Sequence, residues 1–473
     1  MKRLPWILVA SGLSFSLALP ACGGDDNEDA AGDGDTTGDG DGDPGDGDGD
    51  GDGDTGDGDG DGDNTGDGDG DPGNCADPSD PNATIVPVGA NIDADTTWTC
   101  DNIYRLAPDT HVFVNGAVLT IEAGTTIEGT SGSALVIEKD ASLEAVGTAD
   151  APIVFTSTQD SPAPGDWGGV VLLGLAPNNI EGGVGQAEGF ANAPTYGGND
   201  AAHDCGTLAY VRVEYAGFPI SEGNELNGIT FYSCGTDTTV HHVQSHMGSD
   251  DGIEMFGGSF DIDHIVVTGA QDDALDMDQG YSGTAQWVFI HQDAAVGDNC
   301  FEISNNASVF TATPHTAPTF CNVTAIGSGA TGEKSKGLTV KEGTEGNWYA
   351  SIITNVTNEF ALLADEATFT IADGGDIAMQ NNIFFASGST PFVSGADSLD
   401  DAGFEAWVMD AGNANLTSDP GLGTSWGSPN AVPGNDVAGN GTVGSGCDAT
   451  SYIGAVDPAG DDWTQEAWIN YTP

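Results

Sequence analysis

Basic side chains are almost missing from this chain: eight Lys and Arg stand against 75 Asp and Glu in 473 residues, for a formal net charge of −67. A surface of that sign repels phosphate backbones and anionic headgroups, which excludes nucleic acid and anionic lipid as partners. Divalent cations, cationic surfaces and neutral sugars are left. The blander meaning of such acidity is solubility in salty water. Helical periodicity is scarce, and so are long apolar runs. The stretch from Trp6 to Ala18 is apolar but too short to span a bilayer. None of the eight cysteines sits in a Cys-x-x-Cys pair, which argues against zinc.

What the N-terminus does have is an export leader. Lys2 and Arg3 precede the apolar run, which ends in Leu19-Pro20-Ala21-Cys22. Leu three residues before a Cys, with a small residue between, resembles the lipobox of bacterial lipoproteins. The resemblance implies cleavage after residue 21 and a diacylglycerol on Cys22, so that the membrane is reached through a lipid anchor only. Pro20 is unusual there, and ordinary secretion is the alternative. The expected location is the bacterial cell envelope, at the outer membrane or cell surface. Residues 22–81 form the next unit, and from Gly23 to Gly73 they are almost only Gly and Asp. With nothing apolar to bury and like charges repelling along its length, this segment is expected to be a disordered tether. Extended, it would reach on the order of 150 Å. Its Asp-x-Asp-x-Asp-Gly runs lack the EF-hand glutamate and flanking helices, and they lack the apolar residue of calcium-binding β-rolls, so a spacer is the expected role.

The remaining 82–473 region carries 52 of the 75 acids, 21 lying in residues 23–73 and two more at Asp77 and Asp80. It reads as β throughout: runs such as Ala117–Ile127, Ala134–Val146, Leu208–Tyr215 and Ile377–Phe385 are rich in Val, Ile, Thr and aromatics and are bounded by Gly, Asp, Asn or Pro. One segment occurs three times. Asp250-Asp251-Gly252-Ile253-Glu254 returns as Asp272-Asp273-Ala274-Leu275-Asp276 and as Asp298-Asn299-Cys300-Phe301-Glu302, 22 and 26 residues apart and each after an apolar run. That period, with β patterning, predicts a solenoid of about 12 to 15 coils, equivalent side chains lying one strand spacing of about 4.8 Å apart. A pair of β-sandwiches would show more hairpin signals than Asn115-Gly116, Asn227-Gly228 and Asn440-Gly441. The fold expected is therefore all-β, a parallel β-helix, with a loop insertion near 178–204 and a C-terminal cap near 448–473. Sequence neighbours suggest the disulfides Cys75–Cys100, Cys205–Cys234 and Cys300–Cys321, with Cys447 left over.

Alternation assigns faces to the repeat. Ile253, Leu275 and Phe301 point into the core, and Asp251, Asp273 and Asn299 share that direction or sit at the turn. The Asp/Asn exchange at that row fits a turn position, since both side chains accept from backbone N–H groups. Asp250, Asp272 and Asp298 then face outward with Glu254, Asp276 and Glu302. Neighbouring carboxylates about 5 Å apart repel by about 0.8 kcal/mol in water and about 3 at an effective dielectric of 20. A hard divalent cation would offset this, and Ca2+ suits carboxylate oxygens in an exported protein; raised carboxyl pKa values are the other remedy, and splaying into solvent is the third. No organic cofactor is expected. The preceding strands align His242, His264 and Trp287 in one row and His246, Thr268 and His291 in another. His242, His246 and His264 are thus candidate transition-metal ligands, the alternative being burial beneath the 178–204 insertion.

The blocks Gly165-Asp166-Trp167-Gly168-Gly169-Val170-Val171 and Gly248-Ser249-Asp250-Asp251-Gly252-Ile253-Glu254, with the closing Tyr452-Ile453-Gly454-Ala455, Trp463 and Trp468, resemble a family of uncharacterised exported bacterial lipoproteins and secreted proteins. The resemblance covers most of residues 82–473 and implies a right-handed parallel β-helix of the pectin-lyase-like type. That fold hosts lyases, hydrolases, adhesins and passive surface proteins alike. Lyases of the fold pair an acidic calcium site with a Lys or Arg base. Here Lys334, Lys336 and Lys341 are the only basic cluster, expected to pair with local acids such as Glu333 and Glu342, and Arg212 is isolated. The hydrolase elements Gly-His-Gly and Arg-x-Lys are absent. The expectation is a tethered acidic β-helix that binds glycans or cell-surface components, an adhesion or structural module stiffened by calcium. The alternative is a polysaccharide lyase or glycoside hydrolase that uses the acidic ladder.

Overall fold

The structure, a computed structural model, describes residues 75–472 except for 222–223, 294, 330–334, 389, 435–436, 438–440, 442–443 and 445. The leader, Cys22, the Gly/Asp segment as far as Asn74, Glu333 and Lys334 lie outside the described residues. Within them the chain winds as a parallel β-helix. It alternates between a 16-stranded sheet (the long sheet) and a 10-stranded sheet (the short sheet). Strand pairs are parallel apart from two small hairpins, Gly185–Gln186 with Thr195–Tyr196 and Pro219–Ser221 with Asn224–Glu225. Ten coils each give one strand to the short sheet, and an N-terminal coil, Ile85–Val88 to Thr96–Trp98, meets it only through the Ile92–Val114 bridge, so fewer coils form among the described residues than the 12 to 15 expected. Loops and two helices, α1 (Glu366–Gly374) and α2 (Asp401–Val408), take up the difference.

Long β-rich runs resolve into pairs of short strands because the coil must turn within them. Ala117–Ile127 becomes Val118–Ile121 and Thr126–Gly129, broken at Gly124. Gly124 has φ +79°, and a Cβ there would lie 2.8 Å from Cys75 Sγ, so both the turn and the packing demand glycine. Between the sheets, matching residues of successive coils stack into apolar columns. Ile229, Ile253, Leu275, Phe301 and Leu338 are one such column, and Val243, Ile265, Val288 and Val323 another. All are essentially solvent-free, and each contributes about 1.5–3 kcal/mol of transfer free energy.

The long-sheet strands bend once per coil. Tyr210, His242, His264, Trp287 and Asn322 occupy that bend with φ between +50° and +54°. The left-handed residue breaks the two-residue alternation: Val240 and Val243 are both buried in the core, so His241 and His242 between them lie on the outside. The row of His242, His264 and Trp287 follows from this bend, and the row of His246, Thr268 and His291 is in direct register.

Two segments cover the outer faces. The 178–204 insertion lies on the short sheet, with Ala187 and Tyr196 packed on Val136, Val171, Leu173, Tyr232 and Phe256. Residues 448–472 run along the long sheet and do not close the last coil. Arg212 Nη1 donates to the Trp468 carbonyl at 2.9 Å, Asn470 N donates to Gln244 Oε1 at 2.7 Å, and Trp468 packs with Val266, Phe289 and Ile326. The end of the helix is covered instead by α2, whose buried Phe404 meets Phe392 edge-on at 6.0 Å.

Two of the expected disulfides form, Cys75–Cys100 and Cys205–Cys234. The third does not. Cys321 bonds Cys447, and Cys300 is a free, buried thiol. Cys300 belongs to the short sheet and Cys321 to the long one. The loop after Asn305 also lengthens that coil, so the register partner of Cys321 in the preceding coil is Gln286. Near-coil spacing in sequence therefore does not place the two thiols side by side.

Candidate functional site

The tripled segment sits where the chain enters the short sheet, and its three rows differ in environment. The inner row is a hydrogen-bonded turn ladder. Asn227 Oδ1 accepts from Asp251 N at 3.2 Å, Asp251 Oδ1 from Asp273 N at 2.9 Å, and Asp273 Oδ1 from Asn299 N at 2.6 Å. Asn299 Nδ2 also donates to Asp273 Oδ1, and Thr339 Oγ1 donates to Asn299 Oδ1. Asn and Asp exchange along this row because each rung asks only for an acceptor one coil below the N–H it serves. Asn227, the first rung, lies outside the repeated motif, and sequence reading missed it.

Glu254, Asp276, Glu302 and Thr339 are in register on the outer face of the short sheet. Glu254, expected to face outward beside solvent, is only 8% exposed, because the insertion covers it. It accepts from Asn227 Nδ2 and hydrogen-bonds the Glu188 carboxyl, which the insertion carries. Two carboxyls in contact need a shared proton or a cation. Glu188 lies in a Gly- and Ala-rich stretch with no local signal of its role. Asp278, two residues past Asp276 and on the same face, was legible from alternation but not singled out.

Burial is the first cause of raised carboxyl pKa values across this face, and neighbouring carboxylates add to it at most positions. Asp250 and Asp278 are each pushed up to about 7, and Asp251, Glu254, Asp273 and Asp276 well above the usual carboxylate range. Asp276 Oδ1 is closed off from solvent and has no hydrogen-bond partner.

The third copy of the repeat is different. Lys336 Nζ stands 3.1 Å from Asp298 Oδ1, and Lys341 Nζ contacts Glu302 Oε1. These lysines were expected to pair with Glu333 and Glu342; they neutralise the ladder itself. Asp298 and Glu302 thus have protein counter-charges already. The remaining acids group as Asp251, Glu254 and Asp276, and as Asp250, Asp251 and Asp272, with the ligand oxygens of each group within 4.8 Å of one another. Oxygen-only donors at that spacing fit a hard cation such as Ca2+. Two further groups of the same spacing, Asp272 with Asp273 and Asp298, and Asp273 with Asp276 and Glu302, each include a lysine-paired acid, and all six acids of the expected set fall in one or another of the four groups, joined by Asp251 and Asp273.

Beside these rows lies a cleft of about 620 Å3 between the insertion and the 306–312 loop, lined among others by Ile180, Glu181, Asp278, Gln279 and Val309. On the other sheet, His246 is spent: Nδ1 pairs with Thr268 Oγ1 at 2.7 Å and Nε2 with the Thr472 carbonyl at 2.9 Å. The C-terminal segment, and not the 178–204 insertion, covers it.

Neither the curated proteins nor the solved structures offer a significant match to the chain. A family model described as a pectate-lyase-like beta helix domain matches residues 90–426, the greater part of the sequence and all of the acidic face. Stacked parallel coils, ladder-forming turns and that match agree, and the chain belongs to the pectate-lyase-like β-helix family.

Proposed function

We propose that this chain is a cation-dependent glycan-binding β-helix module of the cell envelope. The observation that carries the reading is the group of Asp251, Glu254 and Asp276, whose nearest ammonium, Lys341, is bonded to Glu302 instead, and which is acidic, largely buried and includes an oxygen without a partner. Three carboxylates in so dry a place cannot all stay ionised alone, since neighbouring charges cost about 3 kcal/mol per pair at an effective dielectric of 20. A calcium ion held by Asp251, Glu254 and Asp276, with Asp250 and Asp272 beside it, would supply the missing charge. The adjoining cleft sets apolar Ile180 and Val309 near polar Asp278 and Gln279, a combination suited to the C–H face and hydroxyls of a sugar. Envelope location and lipid anchoring rest on the leader and Cys22 alone.

The test is metal analysis of the purified chain with thermal melts in EDTA and in calcium, followed by a glycan array in both. The expected result is bound calcium, a lower melting temperature in EDTA and calcium-dependent glycan retention. A metal-free chain whose melt ignores both EDTA and calcium overturns the cation. The catalytic alternative is weaker. A lyase needs an unprotonated base, and Lys341, beside the acidic rows, is held as the ammonium by Glu302. Turnover of a polyuronate that disappears in Lys341→Ala would replace binding by catalysis.

A further inference from the structure

We propose that His242 and His264, with Asp263 orienting His264, form a site for a borderline transition-metal ion, Cu2+, Zn2+ or Ni2+, on the outer face of the long sheet. The three side chains offer ligand atoms within 4.8 Å of one another. They arrive there by the bend described above: His242 and His264 are equivalent residues of adjacent coils, and their rings stack at 4.3 Å with an interplanar angle of 8°. The left-handed backbone is not itself the signal, because Tyr210, Trp287 and Asn322 share it. What is particular to these two coils is that imidazoles fill the row, with a carboxylate alongside.

The hydrogen bonds leave the right atoms open. His264 Nδ1 meets Asp263 Oδ1 at 2.5 Å, which fixes the Nδ1–H tautomer and leaves the Nε2 lone pair free, the pattern in which a carboxylate orients a metal-binding histidine. His242 Nδ1 is 2.9 Å from His241 Nδ1, and when His242 Nδ1–H is the donor its Nε2 lone pair is free as well. Trp463 and Trp468 meet His264 and His242 edge-on at 5.0 and 5.7 Å and shield the pair. Nitrogens around a tetrahedral zinc stand about 3.3 Å apart, so binding draws the ligand atoms together and turns the stacked rings out of parallel. Two imidazole nitrogens select borderline metals over Ca2+ or Mg2+. The acidic face on the short sheet has the opposite preference.

The experiment titrates Cu2+ into the untagged, EDTA-stripped full chain in saturating calcium, with binding followed by calorimetry and the copper spectrum by electron paramagnetic resonance. Carboxylates elsewhere, including those of residues 23–73, give oxygen-only signals. The expected spectrum shows coupling to two imidazole nitrogens. His242→Gln and His264→Gln each lose that coupling and weaken binding at least about tenfold, and Asp263→Asn weakens it by about 10–100-fold. His315→Gln, on a distant loop, leaves both unchanged. Partial exposure of His264, 23% for its side chain, favours a folded variant, and a melting curve verifies it. A native spectrum without nitrogen coupling, or full coupling in folded His264→Gln, overturns the site.

Discussion

At Asp276 one oxygen has no partner, and that oxygen separates the two ways of settling the acidic face. If a proton settles it, the carboxyl behaves as a neutral amide would. If a cation does, the charge is required. Asp276→Asn keeps the shape, removes one charge and adds a donor among acceptors. In EDTA the variant is expected to be more stable than the native chain by about 1–3 kcal/mol, the range for relieving an unsatisfied buried polar group. In calcium the order reverses, because the variant lacks a ligand. Chemical denaturation in the two buffers measures both differences, and an unchanged order in calcium would count against Asp276 as a ligand. Lys341→Met acts from the other side: it strips Glu302 of its ammonium. The variant is expected to lose about 3–5 kcal/mol, the cost of orphaning one member of a partly buried pair, and denaturation in EDTA reads it.

Among the elements, the C-terminal segment is the one held by side chains more than by strands. Its anchors are the Cys321–Cys447 bond, Asn470 on Gln244 and Glu214, and the Thr472 carbonyl on His246. Cys447→Ser opens a loop of 126 residues in sequence and is expected to cost about 2–5 kcal/mol. Proteolysis beginning within 448–472 in the variant, and not in the native chain, is the accompanying readout. The same element shows where sequence reading stops. Ile253, Leu275 and Phe301 could be placed inward because alternation is local, and the row of His242, His264 and Trp287 because equal spacing carries from coil to coil. The Cys321 pairing, the lysine partners and Glu188 depend on loops that change coil length or fold back from elsewhere. No local pattern records those distances. Asn227 is intermediate: it continues the ladder by one rung, but the motif around it has drifted.

For the described region as a whole, two sets of buried groups pull stability in opposite directions with pH, and their balance predicts a profile. Asp250, Asp251, Glu254, Asp273, Asp276 and Asp278 have raised pKa values in the fold, so the unfolded chain binds fewer protons than the native one. Their contribution is complete below the unfolded carboxylate pKa near 4 and is lost as pH rises through the folded values, about 7 for Asp250 and Asp278. Within that window each group costs about 1.4 kcal/mol per pH unit. His242, His246 and His291 are lowered to about 4, so theirs is present above 6.5 and lost as pH falls toward 4. Between those limits the sets oppose one another, with six carboxyls against three imidazoles. Above 6.5 only the carboxyls act, and the net charge of −67 adds repulsion of the same sign. In EDTA the melting temperature is therefore expected to be highest at about pH 4 and to fall from there to pH 8. Millimolar calcium should flatten that fall, because a bound cation takes the place of the lost protons. Melts at four pH values with and without calcium decide the matter: a flat or rising EDTA profile from pH 6 to 8 would mean that these carboxyls are already ionised and solvated in the fold.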